Sequence, residues 1–283
     1  MPAQTIGENL AFINWTVLTG LALGSFAVVV LGRLVLGATR GFLAFTAFCA
    51  AGFGLLAWLS DGSLPASLAG SPVMPDPAWD VPRRAALLAF ALLAAAYLVV
   101  VARRRRGVPV AIAGLAAGLA VLVLGALTWG GPFPGPLAFV LQQALLAAAT
   151  GGVFAAMILG HWYLVTPKLP EAPLVTLSRI LLGVMAALLV GFLLAAGLGA
   201  GVPASSAGGS GPFAIMFGPW ALFAWLRLIV GLVFPLVVSW MAVQTAKTRS
   251  MESATGLLYI DVGSIAAGTI LAAGVFFGAG LYI

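Results

Sequence analysis

Three ionisable side chains fall inside stretches otherwise too apolar to hold them, and each is of a type that could do chemistry there. His161, the only histidine, offers a neutral imidazole that can ligate a haem iron or hydrogen-bond a quinone carbonyl. Asp261 is expected about five residues, some 7–8 Å, into the last apolar stretch, at the same end and depth as His161. A carboxylate on the second imidazole nitrogen would fix its tautomer and raise its basicity, so His161 and Asp261, with Tyr163 close by, form an expected proton-accepting or cofactor-binding group. The third is Arg227, about 10 Å from Trp220 at the opposite end. Asn14, Gln142 and Gln143 stand at comparable depth, which makes an outer polar cluster with Arg227 an expectation.

Each reading has a plainer competitor. An ionised side chain at the bilayer centre costs about 2.5–3.5 kcal/mol on insertion scales, so a charge needs a reason to be there. His161 could hydrogen-bond only locally, with Trp162 and Tyr163 in an aromatic belt at headgroup level. Asp261 could pair with Arg179, Lys247 or Arg249 near the surface, and Arg227 could snorkel to lipid phosphate along its apolar stem. A single histidine cannot supply both ligands of a bis-histidine haem, which leaves a His–Met, five-coordinate or chain-shared haem, or a quinone, as the cofactors open to it. Cys49 stands alone, so neither an intrachain disulfide nor a multi-cysteine metal site is expected. HExxH, Walker and GxSxG signatures are lacking, so no catalysis by this chain alone is expected.

The elements that must position these residues are membrane helices. Hydrophobic residues make up 63% of the chain and charged residues 7%, with a mean hydropathy of +1.16, far from soluble composition. At about 20 apolar residues per crossing, eight spans are expected: 11–36, 41–59, 85–102, 108–129, 137–166, 174–199, 220–246 and 256–283. Connectors such as Gly130 to Pro136 and Pro167 to Pro173 cannot continue a helix. Ten of the thirteen Lys and Arg residues fall on one side of the threaded spans. Positive-inside bias therefore places both termini outside and His161 in the cytoplasmic part of the fifth span, in a prokaryotic inner membrane. The net charge of +6 arises from those short loops and does not indicate nucleic acid. The first ten residues hold no Lys or Arg, so no cleavable signal is expected and the first helix is retained.

Short matches recur in the same order in the two halves, which points to a duplicated four-helix unit, residues 1–133 and 134–283. Gly24 to Gly32 (GSFAVVVLG) resembles Gly152 to Gly160 (GVFAAMILG), and Pro65 to Gly70 (PASLAG) recurs as Pro203 to Gly208 (PASSAG). Arg40 and Arg179 lie 139 residues apart, as do Gly52 and Gly191. An even number of spans per half makes the two repeats parallel. Gly24, Gly32, Gly152, Ala156 and Gly160 read as small-residue packing faces that admit a neighbouring helix. Pro235 is expected to kink its helix and free the carbonyl four residues back.

The fold class expected is thus an all-α polytopic membrane protein of about eight spans in two parallel four-helix repeats. In architecture, two four-helix halves are similar to quinone-binding anchors of the polysulfide-reductase type, a likeness that implies a quinone and partner subunits. The expected function is an integral subunit of an electron-transfer or energy-converting membrane complex, with quinone or haem near His161. A small transporter or channel between the halves, and a scaffold without a site, are the alternatives.

Overall fold

The computed structural model describes residues 1–199 and 211–283, and its described residues form helices and turns with no strand. A short α1, Pro2–Glu8, precedes α2, Leu10–Leu34. There follow α3, Arg40–Asp61; α4, Asp80–Ala102; α5, Val108–Trp129; α6, Gly135–Val165; and α7, Ala172–Leu198. The next span is composite, α8 (Ala221–Leu228) passing through a π-helical turn, Ile229–Val233, into α9 (Phe234–Lys247). The last helix is α10, Met251–Ala279. Among the described residues eight spans are long and apolar enough to cross a membrane, as the hydropathy pattern requires.

Helix ends follow local chemistry. Pro109, Pro136 and Pro173 sit in the first turns of α5, α6 and α7, where no N–H is needed. Thr39 caps α3 by accepting from the Phe42 N–H, and Gly199 and Gly280 end α7 and α10 in the left-handed conformation. Two boundaries differ from the sequence expectation. The span expected from residue 85 starts at Asp80, because Arg83 in its first turn is buried in an ion pair; the last starts at Met251 instead of 256, with Glu252 in the first turn where the helix dipole favours an acid.

Helices α2 to α5 pack in a ring, each on the next and α5 back on α2; α6, α7, α8–α9 and α10 form a second ring. The rings meet along α2 and α6, with α2 also touching α10 and α6 touching α5. These inner helices, α2, α6 and α10, are about two-thirds buried, whereas α3, α4, α5, α7 and α8–α9 turn residues such as Phe48, Leu92, Leu119 and Leu194 outward as a lipid-facing surface. The Pro203 to Gly208 segment lies outside the described residues.

At the α2–α6 crossing, backbone meets backbone. A Cβ on Gly24 would overlap the Ala147 carbonyl oxygen, and one on Gly151 would lie 2.6 Å from Gly24 Cα. The Ser25 hydroxyl donates to the Gly151 carbonyl at 3.3 Å across the same contact. Glycine is therefore required at both positions: Gly24, one of the expected packing residues, meets Gly151, the neighbour of the expected packing residue Gly152. Gly152 is buried, yet a Cβ there would meet nothing within 4 Å. Gly160 faces Thr255 of α10, Ala156 is fully buried, and Gly32 meets Leu43 and Ala38. Toward the end opposite the basic loops, Phe12, Trp15, Trp129, Phe139, Phe276 and Phe277 stack edge-on and tilted between the two rings.

Candidate functional site

Buried polar groups collect at two places, one in each ring. In the first ring, the end of α3 and the first turn of α4 bring Asp61 and Arg83 together with side chains 2% and 3% exposed. Arg83 grips the carboxylate bidentately, Nε donating to Oδ2 at 2.8 Å and Nη2 to Oδ1 at 3.2 Å. Its Nη1 donates to Asp80 at 2.7 Å and to the Thr128 hydroxyl of α5 at 2.9 Å. Trp15 of α2 donates its indole N–H to Asp61 Oδ2 at 2.9 Å, and the guanidinium stands 4.3 Å from the Trp129 ring centroid. All four helices of the ring are thus tied to one ion pair. A cavity of about 280 Å³ opens beside it, with Asp80 and Arg84 on its wall. Because Arg83 spends four hydrogen bonds on its neighbours, the network is a clamp with its charges already satisfied.

In the second ring the charges are not satisfied in this way. Asp261 of α10 is fully buried; Ser239 of α9 donates to its Oδ2 at 2.6 Å, and Ser264 reaches its Oδ1 at 3.4 Å. No ion pair reaches it among the described residues. Arg227 of α8 is 1% exposed. Its Nη1 donates to the Gly231 carbonyl at 3.4 Å, and its Nε and Nη2 have no partner among the described residues. The reason lies one turn further on: Pro235 has no N–H to offer the Gly231 carbonyl, the backbone widens into the π turn, and Arg227 occupies the freed acceptor. Glycines 231 and 268 let this segment approach α10 closely, a Cβ on either lying 2.6 Å from the other's Cα. The guanidinium lies beside Gly268, seven residues and about 10 Å along α10 from Asp261. Two opposite charges are therefore buried in one seam without touching.

The group expected around His161 is not assembled. His161 is exposed and makes no hydrogen bond or ion pair among the described residues. Because α10 begins at Met251, Asp261 lies ten residues, about 15 Å, into its helix, whereas His161 lies four residues from the end of α6. Tyr163 is buried and donates its hydroxyl to the Pro170 carbonyl, and the Trp162 ring packs on Gly41 of α3. Asp261 meets serines instead of Arg179, Lys247 or Arg249; Arg249 pairs with Glu171 at 3.2 Å.

The outer polar cluster is likewise dispersed. Asn14 donates to Ser60 at 3.2 Å, Gln142 donates to the Ile283 carbonyl at 3.4 Å, Gln143 is buried within α6, and Arg227 turns to its own helix rather than snorkelling. No hydrogen bond joins any two of the four. His161→Ala is accordingly expected to leave the stability of the purified chain within about 0.5 kcal/mol of wild type, as for other exposed positions. Thermal unfolding followed by size-exclusion fluorescence checks this.

Hydropathy does not reveal the Asp61–Arg83 clamp, because both residues lie just beyond the expected apolar spans; opposite charges facing each other across one inter-span loop are the available signal. Eight apolar spans with ionisable groups held among them define a multi-pass α-helical membrane protein embedded in a lipid bilayer. The chain matches no protein-family model and no curated protein.

Proposed function

We propose that the chain is an integral membrane subunit of a larger electron-transfer or energy-converting complex, and that its second four-helix half exchanges protons through Asp261. The observation that carries this reading is the fully buried Asp261 carboxyl, hydrogen-bonded by Ser239 and Ser264 and by no cation. A carboxyl inside a bilayer is costly, and carboxyl–hydroxyl chains are a recurrent means of carrying protons through membrane proteins. The π turn in the facing helix adds support, since such turns concentrate at functional positions. With basic loops on the cytoplasmic side of a prokaryotic inner membrane, Asp261 is entered from the cytoplasm. Other membrane subunits supply what a nearly loopless chain lacks, and a haem or quinone at the exposed His161 requires a second chain to close over it. The parallel duplication of the two halves is part of this reading.

Asp261→Asn tests it, because the amide oxygen still accepts from Ser239 and the fold is preserved. In liposomes containing the native complex and a trapped pH indicator, the variant is expected to lower driven proton uptake at least tenfold with unchanged subunit composition. Uptake equal to wild type sinks the proposal. A secondary transporter is the second reading, favoured by the Pro235-broken α8–α9 span; solute flux by the isolated chain in proteoliposomes, lost in the same variant, would select it.

A further inference from the structure

Among the described residues Arg227 is the one buried cation of the second ring, and the role given to Asp261 leaves it unexplained. Its guanidinium makes a single long hydrogen bond, to the Gly231 carbonyl, and its Nε and Nη2 are unpartnered among the described residues. A guanidinium does not shed its proton inside a protein, and an unpaired charge there is destabilising. What such a charge can still have is a counter-charge at a distance. Asp261 and Gly268 lie seven residues apart on one face of α10, and the guanidinium stands against Gly268. Glycine at 231 and 268 keeps side chains out of that contact, and the polar group between it and the carboxyl is Ser264, whose hydroxyl is turned to Asp261. The other charged or titratable side chains of α10 and of the helices packed on it are Glu8 on α1, Arg33 on α2, His161 and Tyr163 on α6, Lys247 on α9, and Glu252 and Tyr259 on α10 itself. All are wholly or partly exposed except Tyr163, whose hydroxyl donates to the Pro170 carbonyl.

We propose that Arg227 is the counter-charge of Asp261, a positioning residue that acts through the field along the seam and sets the pH at which the buried carboxyl loads and releases its proton. Two unit charges about 10 Å apart in a protein interior interact strongly enough to change a proton affinity about tenfold, which is one pH unit. The sign follows from the charges. With Arg227 in place, an ionised Asp261 makes the seam neutral, whereas a protonated one leaves a net positive charge buried in it. The arginine therefore favours release, and without it the carboxyl holds its proton to higher pH. The Gly231 carbonyl, freed by Pro235, is what keeps the guanidinium at this distance. The inference rests on Asp261 as the proton-exchanging group and adds the residue that regulates it.

The measurement is an infrared pH titration of the purified chain in mild detergent, the protonated-carboxyl band of Asp261 being the part of the spectrum that Asp261→Asn removes. In Arg227→Gln its midpoint is expected about one pH unit above wild type, with the melting temperature unchanged or higher because an unpaired buried charge has gone. Arg227→Lys, which keeps the charge, should reverse at least half of the shift. Arg249→Gln removes an exposed cation already paired with Glu171 and should leave the midpoint in place. An unmoved midpoint in Arg227→Gln, a shift that Arg227→Lys fails to reduce, or an equal shift in Arg249→Gln would each overturn the assignment. So would an Arg227→Gln chain that cannot be recovered folded, which makes the arginine structural, or a wild-type band that does not titrate between about pH 4 and pH 10. The titration needs no driven uptake, so the two readings fail separately: an Asp261→Asn complex that takes up protons like wild type sinks the proton-transfer reading and leaves the midpoint shift standing.

Discussion

Arg83→Met is expected to destabilise the chain by about 3–5 kcal/mol, the usual cost of stripping one partner from a buried ion pair. The loss arises less from the missing attraction than from what stays behind. Asp61, 2% exposed, would keep a single N–H donor, from Trp15, and no counter-charge. Thr128 and Asp80 would lose their contact with the guanidinium, and the ends of α3, α4 and α5 would no longer share a common tie. Asp61→Leu in the same chain removes the stranded charge, so the double variant should regain at least half of the lost stability. Melting of the detergent-solubilised variants by size-exclusion fluorescence measures both steps. A double variant no better than Arg83→Met would mean that the unpaired carboxylate is not what destabilises the single one.

The second large effect is expected at the α2–α6 crossing. Gly24→Leu puts side-chain atoms where the Ala147 carbonyl and the Gly151 Cα already stand, and neither is the yielding tip of a flexible side chain. Overpacking in a tight interior costs about 1–3 kcal/mol where neighbours can shift. Here the obstruction is backbone, so the two rings must separate, and little monodisperse protein should be recovered. Gly151→Val should behave alike. Gly152→Ala, one residue away and buried but facing open space, should leave stability within about 0.5 kcal/mol of wild type. Sensitivity at Gly152 as great as at Gly151 would show that the helix is rotated from the orientation described.

Hydropathy made the spans legible because a membrane helix must be apolar along most of its length whatever its neighbours are. The same criterion hides the clamp: an apolar run is cut where charges begin, which leaves Asp61 and Arg83 outside the expected spans, although mutual neutralisation lets both belong to helices. For Asp261 the residue was legible and its surroundings were not. A five-residue error in the start of α10 moves a side chain about 7–8 Å along the axis, enough to exchange an imidazole for the Ser239 hydroxyl. Serines in membrane helices carry no distinguishing pattern, so nothing in the sequence marked Ser239. Gln142 is legible as polar, but its contact with the Ile283 carbonyl depends on where the chain beyond α10 returns, which no local pattern encodes. Arg227 could have been placed: Pro235 frees the carbonyl of residue 231, and 227 is the position one turn before it.

That last arrangement bears on how the second ring can move. Pro235 vacates the Gly231 carbonyl and Arg227, eight residues before the proline, takes it up, so the break in α8–α9 is braced from within its own helix. Across the seam to α10, the side-chain hydrogen bonding among the described residues comes down to Ser239 on Asp261, while the other end is glycine packed on glycine. Mechanically this is a hinge with one latch. The latch is the carboxyl itself, so a change in its charge acts on the fastening that holds the two helices in register.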